Sequence, residues 1–471
     1  MTTSSITVDY LIVGAGAAGM AFADTLLTET EATLAIADRH DRPGGHWNDA
    51  YPFVRLHQPS FFYGVNSRPL GSGAIDAQGP NTGLSELASG AEILAYFDAV
   101  MRQRFLPSGR VRYFPMTDVE DDETLVSRLS GERRRIGARK VVDAAYLSPA
   151  VPATTPPAFA VAPGVTCVPV GELPRATRPG APYVVIGAGK TGIDACLWLL
   201  ENGTDPRQIR WIVPRDSWLY DRAVFQPGRE NLATLIEFMA NQVEALAGAE
   251  SVDDVFARLE AKGAVLRLDP AVKPAMHHCA IVSRAELASL RRIEQVVRLG
   301  RVRRIDVGAI VLERGDIPTS ADTVHINCSA CAFAYADKPP RPIFAGRRIT
   351  LQWTRNCSPT FSAAFVAHVE AAYVSDEEKN EICTVVPTPT DAAGWLRIMA
   401  ADLPKAQQWS TRPELMAWLA RSRLDLTAGL ATLAETDARE LAELDRYRRN
   451  LAPAMATLKN LLAASGAPRA A

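Results

Sequence analysis

Tyr10-Leu11-Ile12-Val13-Gly14-Ala15-Gly16-Ala17-Ala18-Gly19 is the stretch that decides the fold. Its apolar start reads as a buried strand, and Ala17–Thr28 behind it reads as a helix. Gly14 permits the tight turn between them, Gly16 lets backbone approach a pyrophosphate, and Gly19 lets the helix lie close on the strand. The first helical amides then face phosphate charge. A second strand, Thr33–Ala37, ends in Asp38, 19 residues after Gly19. A carboxylate at that point is placed to accept ribose hydroxyls.

The same pattern returns in Tyr183-Val-Val-Ile-Gly187-Ala-Gly189-Lys190-Thr191-Gly192. Its helix is expected over Ile193–Glu201 and its second strand over Arg210–Val213. Where a site for a plain ribose would carry an acid, the chain has Arg215, 23 residues beyond Gly192. A guanidinium there suits the 2′-phosphate of NADP, so NADPH is expected over NADH, with Asp216 as the residue that favours NADH. Lys190 and Arg222 are further candidates for the phosphate site. Two dinucleotide sites on one chain imply hydride transfer from a nicotinamide to a flavin, which makes FAD the expected occupant of the first.

A chain of 471 residues suggests two to three domains. The expected fold class is α/β, with two Rossmann-like dinucleotide-binding domains, a helical insertion and a helical C-terminal tail. A discontinuous FAD domain takes residues 1–150 and 335–400, and an NADPH domain is inserted at 165–334 with helices over 231–299. The tail takes 401–471. The stretch Ser148–Pro163 holds five prolines and reads as a linker. Residues Asp41 to about Pro80 form a long irregular segment, but six aromatics between Trp47 and Tyr63 are too many for a disordered one.

With 51 basic and 53 acidic residues, a net charge of -2 gives no electrostatic case for nucleic acid or an anionic membrane. No apolar run approaches the roughly 20 residues of a membrane span. Met1–Val8 lacks the pattern of a secretory leader, so a cytoplasmic location is expected. Seven scattered cysteines do not make the dense framework of a secreted disulfide protein, and most are read as small buried residues.

After Asp38 come Arg42-Pro-Gly44-Gly45-His-Trp47, Tyr51-Pro52, Arg55, Ser60 and Tyr63. This segment resembles the Gly-Gly-x-Trp and Tyr-Pro…Arg…Ser…Tyr loop of the class B flavin monooxygenases, the group of flavin-containing monooxygenases, N-hydroxylases and Baeyer–Villiger enzymes. The resemblance covers residues 8–65 and, by motif, 183–215. It implies reduction of FAD by NADPH, a C4a-(hydro)peroxyflavin, and oxygenation of a small organic substrate by O2, at nitrogen or sulfur. It further implies that Gly44, Gly45 and Trp47 lie against FAD, and that Arg55, His57 and Gln58 stand at its reactive face, His57 foremost. There a donor stabilises an oxyanion and an imidazole controls protonation. The family often carries a glycine–aromatic–histidine–aromatic fingerprint before the second glycine motif. Here Gly164–Pro174 holds no histidine or aromatic residue, which argues against Baeyer–Villiger chemistry.

Four weaker features remain. Cys328-Ser-Ala-Cys331 has the spacing of a redox pair. His277-His278-Cys279 holds metal-type ligands, but neighbours on one element point apart, so no metal is expected. Ser358-Pro-Thr-Phe-Ser362 opens a helix expected over Ser362–Tyr373, either aimed at a flavin or simply capped by Ser358 or Thr360. Leu430, Leu433, Leu441, Leu444 and Leu451 share a helix face suited to core or to a contact between copies in a homo-oligomer. Two other functions fit the two motifs: an NADPH-linked reductase feeding a disulfide, quinone or partner protein, and a dinucleotide sensor without catalysis.

Overall fold

Ile6–Val13 lies at the centre of the first sheet because both of its faces are covered; Leu11 and Ile12 are fully buried. In this computed structural model, which describes residues 6–330, 338, 341–388 and 390–464, the strand pairs in parallel with Leu34–Ala37 and with Arg133–Asp143. Val111–Phe114 extends the sheet beyond Leu34–Ala37. Parallel neighbours need crossovers, and helix Ala17–Glu29 supplies the first. The chain leaves this sheet after Asp143 and rejoins it at Arg348–Thr350, which pairs in parallel with Arg133–Asp143. The first domain is therefore discontinuous.

The excursion builds a second, wholly parallel sheet. Its order is Thr166–Pro169, Val324–Asn327, Tyr183–Ile186, Ile209–Ile212 and Gln295–Val297. Helix Lys190–Glu201 follows Tyr183–Ile186 as Ala17–Glu29 follows Ile6–Val13. The two halves thus repeat one construction.

Segment 231–299 departs from the expected run of helices. Leu232–Leu246 and Val252–Ala261 are helical, but Met276–Val282 is a strand paired in parallel with Ser217–Asp221. Gln295–Val297 closes an edge of the second sheet. The Met-His-His-Cys-Ala-Ile-Val run is buried at almost every position, so it lacks the one-sided 3.6-residue period of a surface helix. A partner almost 60 residues upstream, with Trp218 opposite His277, selects the extended form.

The C-terminal helix Ala438–Ala464 packs along Leu232–Leu246. Leu430, Leu433 and Leu444 pack against Leu232, Leu235 and Ile236, and Leu451 joins a neighbouring aromatic cluster. Leu441 is half-buried. Leu430 and Leu433 lie before the helix, in and just after the turn Ala428–Thr432, so the five leucines do not share one helix face as expected. Among the described residues, no helix is long and apolar enough to cross a membrane.

Candidate dinucleotide sites and the loop between them

Both glycine turns have the geometry their spacing demands. Gly14 and Gly187 adopt φ of 109° and 122°, where a side chain would be strained. A Cβ on Gly19 would lie 2.0 Å from the Gly14 carbonyl oxygen, and one on Gly192 would lie 2.1 Å from that of Gly187. Each helix therefore sits on its strand at a distance only glycine allows. Both helices start at a glycine, Gly16 or Gly189, with no side-chain cap. Their first-turn amides are donors in want of an acceptor, which a pyrophosphate supplies.

The surroundings of the two turns differ. Over the first, the Gly44 amide donates to the Ala15 carbonyl at 2.9 Å, and a Cβ on Gly45 would stand 2.8 Å from the Gly16 Cα. Over the second, a Cβ on Gly189 would meet nothing within 4 Å. The strand-end residues differ as well. Asp38 is buried, and its carboxylate accepts from the Ala15 amide at 2.6 Å and from the His40 amide at 2.8 Å. His40 in turn bridges the Asp38 and Asp49 carboxylates, at 2.9 and 3.0 Å. Arg215 is exposed beyond Ile209–Ile212, whereas the neighbouring Asp216 is buried with its carboxylate held by Arg298 at 2.8 and 3.1 Å. An acid already neutralised by arginine is a poor ribose acceptor, and the charge left facing solvent there is positive.

Between the turns runs the aromatic loop. Trp47 closes it by donating its indole N–H to the Tyr63 hydroxyl at 2.8 Å. The Tyr51 hydroxyl donates to the Asp194 carboxylate at 2.7 Å, and Lys190 is ion-paired with the same carboxylate. Burial, reinforced by the Asp194 charge, pushes the Tyr51 hydroxyl well above its ordinary range, so it stays a donor. Thr191 hydrogen-bonds the same hydroxyl. Phe53 packs on Trp198, with ring centres 5.4 Å apart. The loop of the first domain is thus seated on the second glycine helix.

Half-buried His57 follows. Its carbonyl accepts from Arg222 Nε at 3.0 Å and its Nδ1 from the Ile281 amide at 3.4 Å. Burial, then the positive charges of Lys190 and Arg222, lowers its pKa to about 3, so the imidazole is neutral at physiological pH. Gln58 is half-buried beside it. Arg55 is exposed and donates to the Leu87 carbonyl at 3.2 Å.

Arg222 corrects an expectation. It is 2% exposed and grips Glu286 with two bonds, at 3.0 and 2.7 Å, while donating to Asn81 at 3.0 Å. With its donors engaged on protein, it is an interdomain strut and not a phosphate ligand. Ser85 reinforces the same seam by donating its amide to Gln226 at 2.8 Å. The long irregular segment is therefore ordered by docking on the second domain.

The remaining candidates fall into place. Cys328 is buried behind the Gly187 turn, and Cys331 lies outside the described residues. His277 is buried against the Tyr220 hydroxyl at 2.9 Å, and Cys279 is disulfide-bonded to Cys357. Among the described residues no His, Cys, Asp and Glu group forms a metal cluster. Helix Pro359–Ala372 starts without a side-chain cap from Ser358; the Thr360 hydroxyl instead donates to the Phe62 carbonyl, at 3.5 Å. This uncapped end therefore meets the aromatic loop.

Residues 12–66 match the family model described as an NAD(P)-binding Rossmann-like domain. Two solved structures share the fold at a TM-score of 0.50 and 15% identity. One is an oxidized steroid monooxygenase bound to NADP, covering 78% of this chain and 85% of that one. The other is an OTEMO complex with FAD and NADP, covering 89% and 92%. The molecule thus has the two-Rossmann-domain fold of those structures. Uncharacterized protein Rv2000 of Mycobacterium tuberculosis (strain ATCC 25618 / H37Rv) is 49% identical over 427 residues, 90% of this chain and 79% of the relative. Uncharacterized protein Mb2023 of Mycobacterium bovis (strain ATCC BAA-935 / AF2122/97) matches to the same extent. The chain belongs to the family of these mycobacterial proteins.

Asp194 and His40 went unnoticed in the sequence, as did the pairing of Tyr51 with Asp194 and of Cys279 with Cys357. Only the Tyr-Pro pair that begins with Tyr51 carried a signal there. Asp194 is one polar residue in a helical pattern, and its partner is 143 positions away.

Proposed function

We propose that the protein is an NADPH-dependent, FAD-containing monooxygenase acting on a small organic molecule. The observation that carries this reading is that the segment covering the first glycine turn with Gly44 and Gly45 continues into the Tyr51–His57 loop, which is seated on the second glycine helix. The uncapped amides after Gly16, with Asp38 at the strand end, would hold the FAD pyrophosphate and ribose. Gly44, Gly45 and Trp47 would line the same cofactor. The open turn at Gly189, with Thr191, Lys190 and Arg215, would hold NADPH. FAD, when bound, would supply the redox chemistry between NADPH and O2.

The chain's own contribution is positional and electrostatic. Neutral His57, with Gln58, offers a polar edge near both sites that can donate or accept a hydrogen bond without adding charge. The Tyr51–Asp194 hydrogen bond would hold the loop in place beside the helix that would take NADPH. The steroid monooxygenase bound to NADP and the OTEMO complex with FAD and NADP, which share the fold, support the choice of this pair of cofactors. The absence of histidine and aromatics from Gly164–Pro174 favours transfer of oxygen to nitrogen or sulfur over Baeyer–Villiger insertion.

The test is a two-stage reaction of the purified holoprotein. NADPH without oxygen should bleach the flavin, and oxygen with an amine or thioether panel should then yield oxygenated product matched to NADPH consumed. Bleaching followed by electron delivery only to quinones or disulfides would replace the reading with a reductase. No bleaching at all would leave a sensor.

A further inference from the structure

The Cys279–Cys357 disulfide joins the two domains at a point where neither backbone is relaxed. Cys279 belongs to strand Met276–Val282 of the inserted domain. Cys357 stands immediately before Ser358, the residue that starts helix Pro359–Ala372 of the first domain. The pairing of Ser217–Asp221 with Met276–Val282 jumps from Trp218 opposite His277 to Leu219 opposite Ala280. His278 and Cys279 are therefore extra residues in a bulge, the device by which a strand re-aims a side chain. Cys279 and Cys357 both adopt φ of 54°, in the left-handed region that costs roughly 1–2 kcal/mol per side-chain-bearing residue.

The two sulfurs are unequal. Cys279 is buried, whereas Cys357 is partly exposed and lies at the start of a 14-residue helix that has no side-chain cap. Exposure makes Cys357 the sulfur that an outside thiol can reach, with Cys279 the shielded partner, and the helix end stabilises Cys357 as the thiolate released in the second step. Asn356 donates its side-chain amide to Cys279 Sγ at 3.3 Å. Two residues past Cys279, the Ile281 amide donates to His57. The bond is thus one short strand segment away from the loop seated on the second glycine helix.

We propose that Cys279–Cys357 is a reversible thiol–disulfide site, acted on by a cellular thiol, that controls how firmly the inserted domain is held against the His57 loop. A thiolate attacks Cys357 Sγ, the S–S bond breaks, and Cys279 leaves as a thiolate that takes up a proton. A second thiol attacks the mixed disulfide and releases Cys357. Overall, two thiols and the protein disulfide become one small disulfide and two protein thiols. Once open, both cysteines are free to leave the left-handed region and the 276–282 strand loosens from the first domain.

The experiment uses the full-length holoprotein, alkylated before and after incubation with millimolar glutathione and mapped by peptide mass spectrometry. Before reduction both cysteines should be blocked. After it, Cys357 should alkylate roughly tenfold faster than Cys279, as expected from its exposure and helix-end position. Hydrogen exchange should rise at least severalfold in 276–282 and 355–358 and stay unchanged in Ile6–Val13. The Cys279→Ser and Cys357→Ser variants should each show the raised exchange in any redox buffer. Free thiols at both positions before reduction would overturn the proposal. So would a bond that glutathione leaves intact, or a reduced protein whose exchange matches the oxidised one.

Discussion

The two glycine turns are built to one plan and finished differently. Around the first, Gly44 and Gly45 lie on the turn, and Asp38 is buried and tied to the Ala15 amide. Around the second, the space over Gly189 is open, and the strand-end Arg215 is exposed. An enclosed site suits a cofactor that stays, and an open one suits a cofactor that comes and goes. The covering loop makes the difference, since the strand, glycines and helix are the same in both.

The largest expected effects come from the third glycines. Gly19→Ala forces a methyl group against the Gly14 carbonyl, an overpacking that costs about 3 kcal/mol or more. The variant should purify without FAD and with a lowered Tm. Gly192→Ala should keep its FAD while losing reduction by NADPH at ordinary concentrations. Normal reduction in Gly192→Ala would make the second turn a packing feature only, and the contrast between the sites would collapse.

Arg222 tests the seam that brings the two sites together. Arg222→Ala leaves Glu286 buried without its partner and should cost about 3–5 kcal/mol in urea unfolding. A double replacement by apolar residues, Arg222→Met with Glu286→Leu, should recover most of that loss. If the single variant is as stable as the parent, the strut assignment is wrong.

Arg215 sharpens the comparison at the strand ends. Arg215→Ala should raise KM for NADPH roughly tenfold and leave KM for NADH within about twofold, as expected when one charge–phosphate contact is lost. Equal effects on both would remove the assignment to the 2′-phosphate.

The smallest effect concerns His57. Burial and two nearby cations lower it to about 3, against about 6.5 in the unfolded chain. Between those values only the unfolded chain takes up the proton, so stability falls as pH drops through that window. His57→Gln should flatten the acid side of the urea stability profile and leave the shape of the NADPH-reduction profile between pH 5 and 8 unaltered. A limb in that range that vanishes in the variant would show an imidazole that titrates during turnover.

Much of this was legible in advance where the signal is local. The glycine spacing predicts both turns, and the strand ends place Asp38 and Arg215. A strand and a helix late in the chain, with FAD-domain residues expected from 335, also pointed to a return to the first domain, and the strand that pairs there is Arg348–Thr350. The expected helices over 231–299 failed in part, because strand Met276–Val282 is selected by a partner that local pattern does not show. Arg222 was misread for a related reason: an arginine beside a nucleotide motif looks like a phosphate ligand until Glu286 is found next to it.

What the sequence alone determined is the pair of turns, because the constraints on Gly14, Gly16, Gly19 and their counterparts act over a few residues of backbone. The tertiary structure decided what those turns face. Tyr51 on Asp194, His57 on Arg222 and Cys279 on Cys357 join positions 78 to 165 residues apart. Contacts of that kind depend on how two finished domains pack, and neither spacing nor composition encodes it.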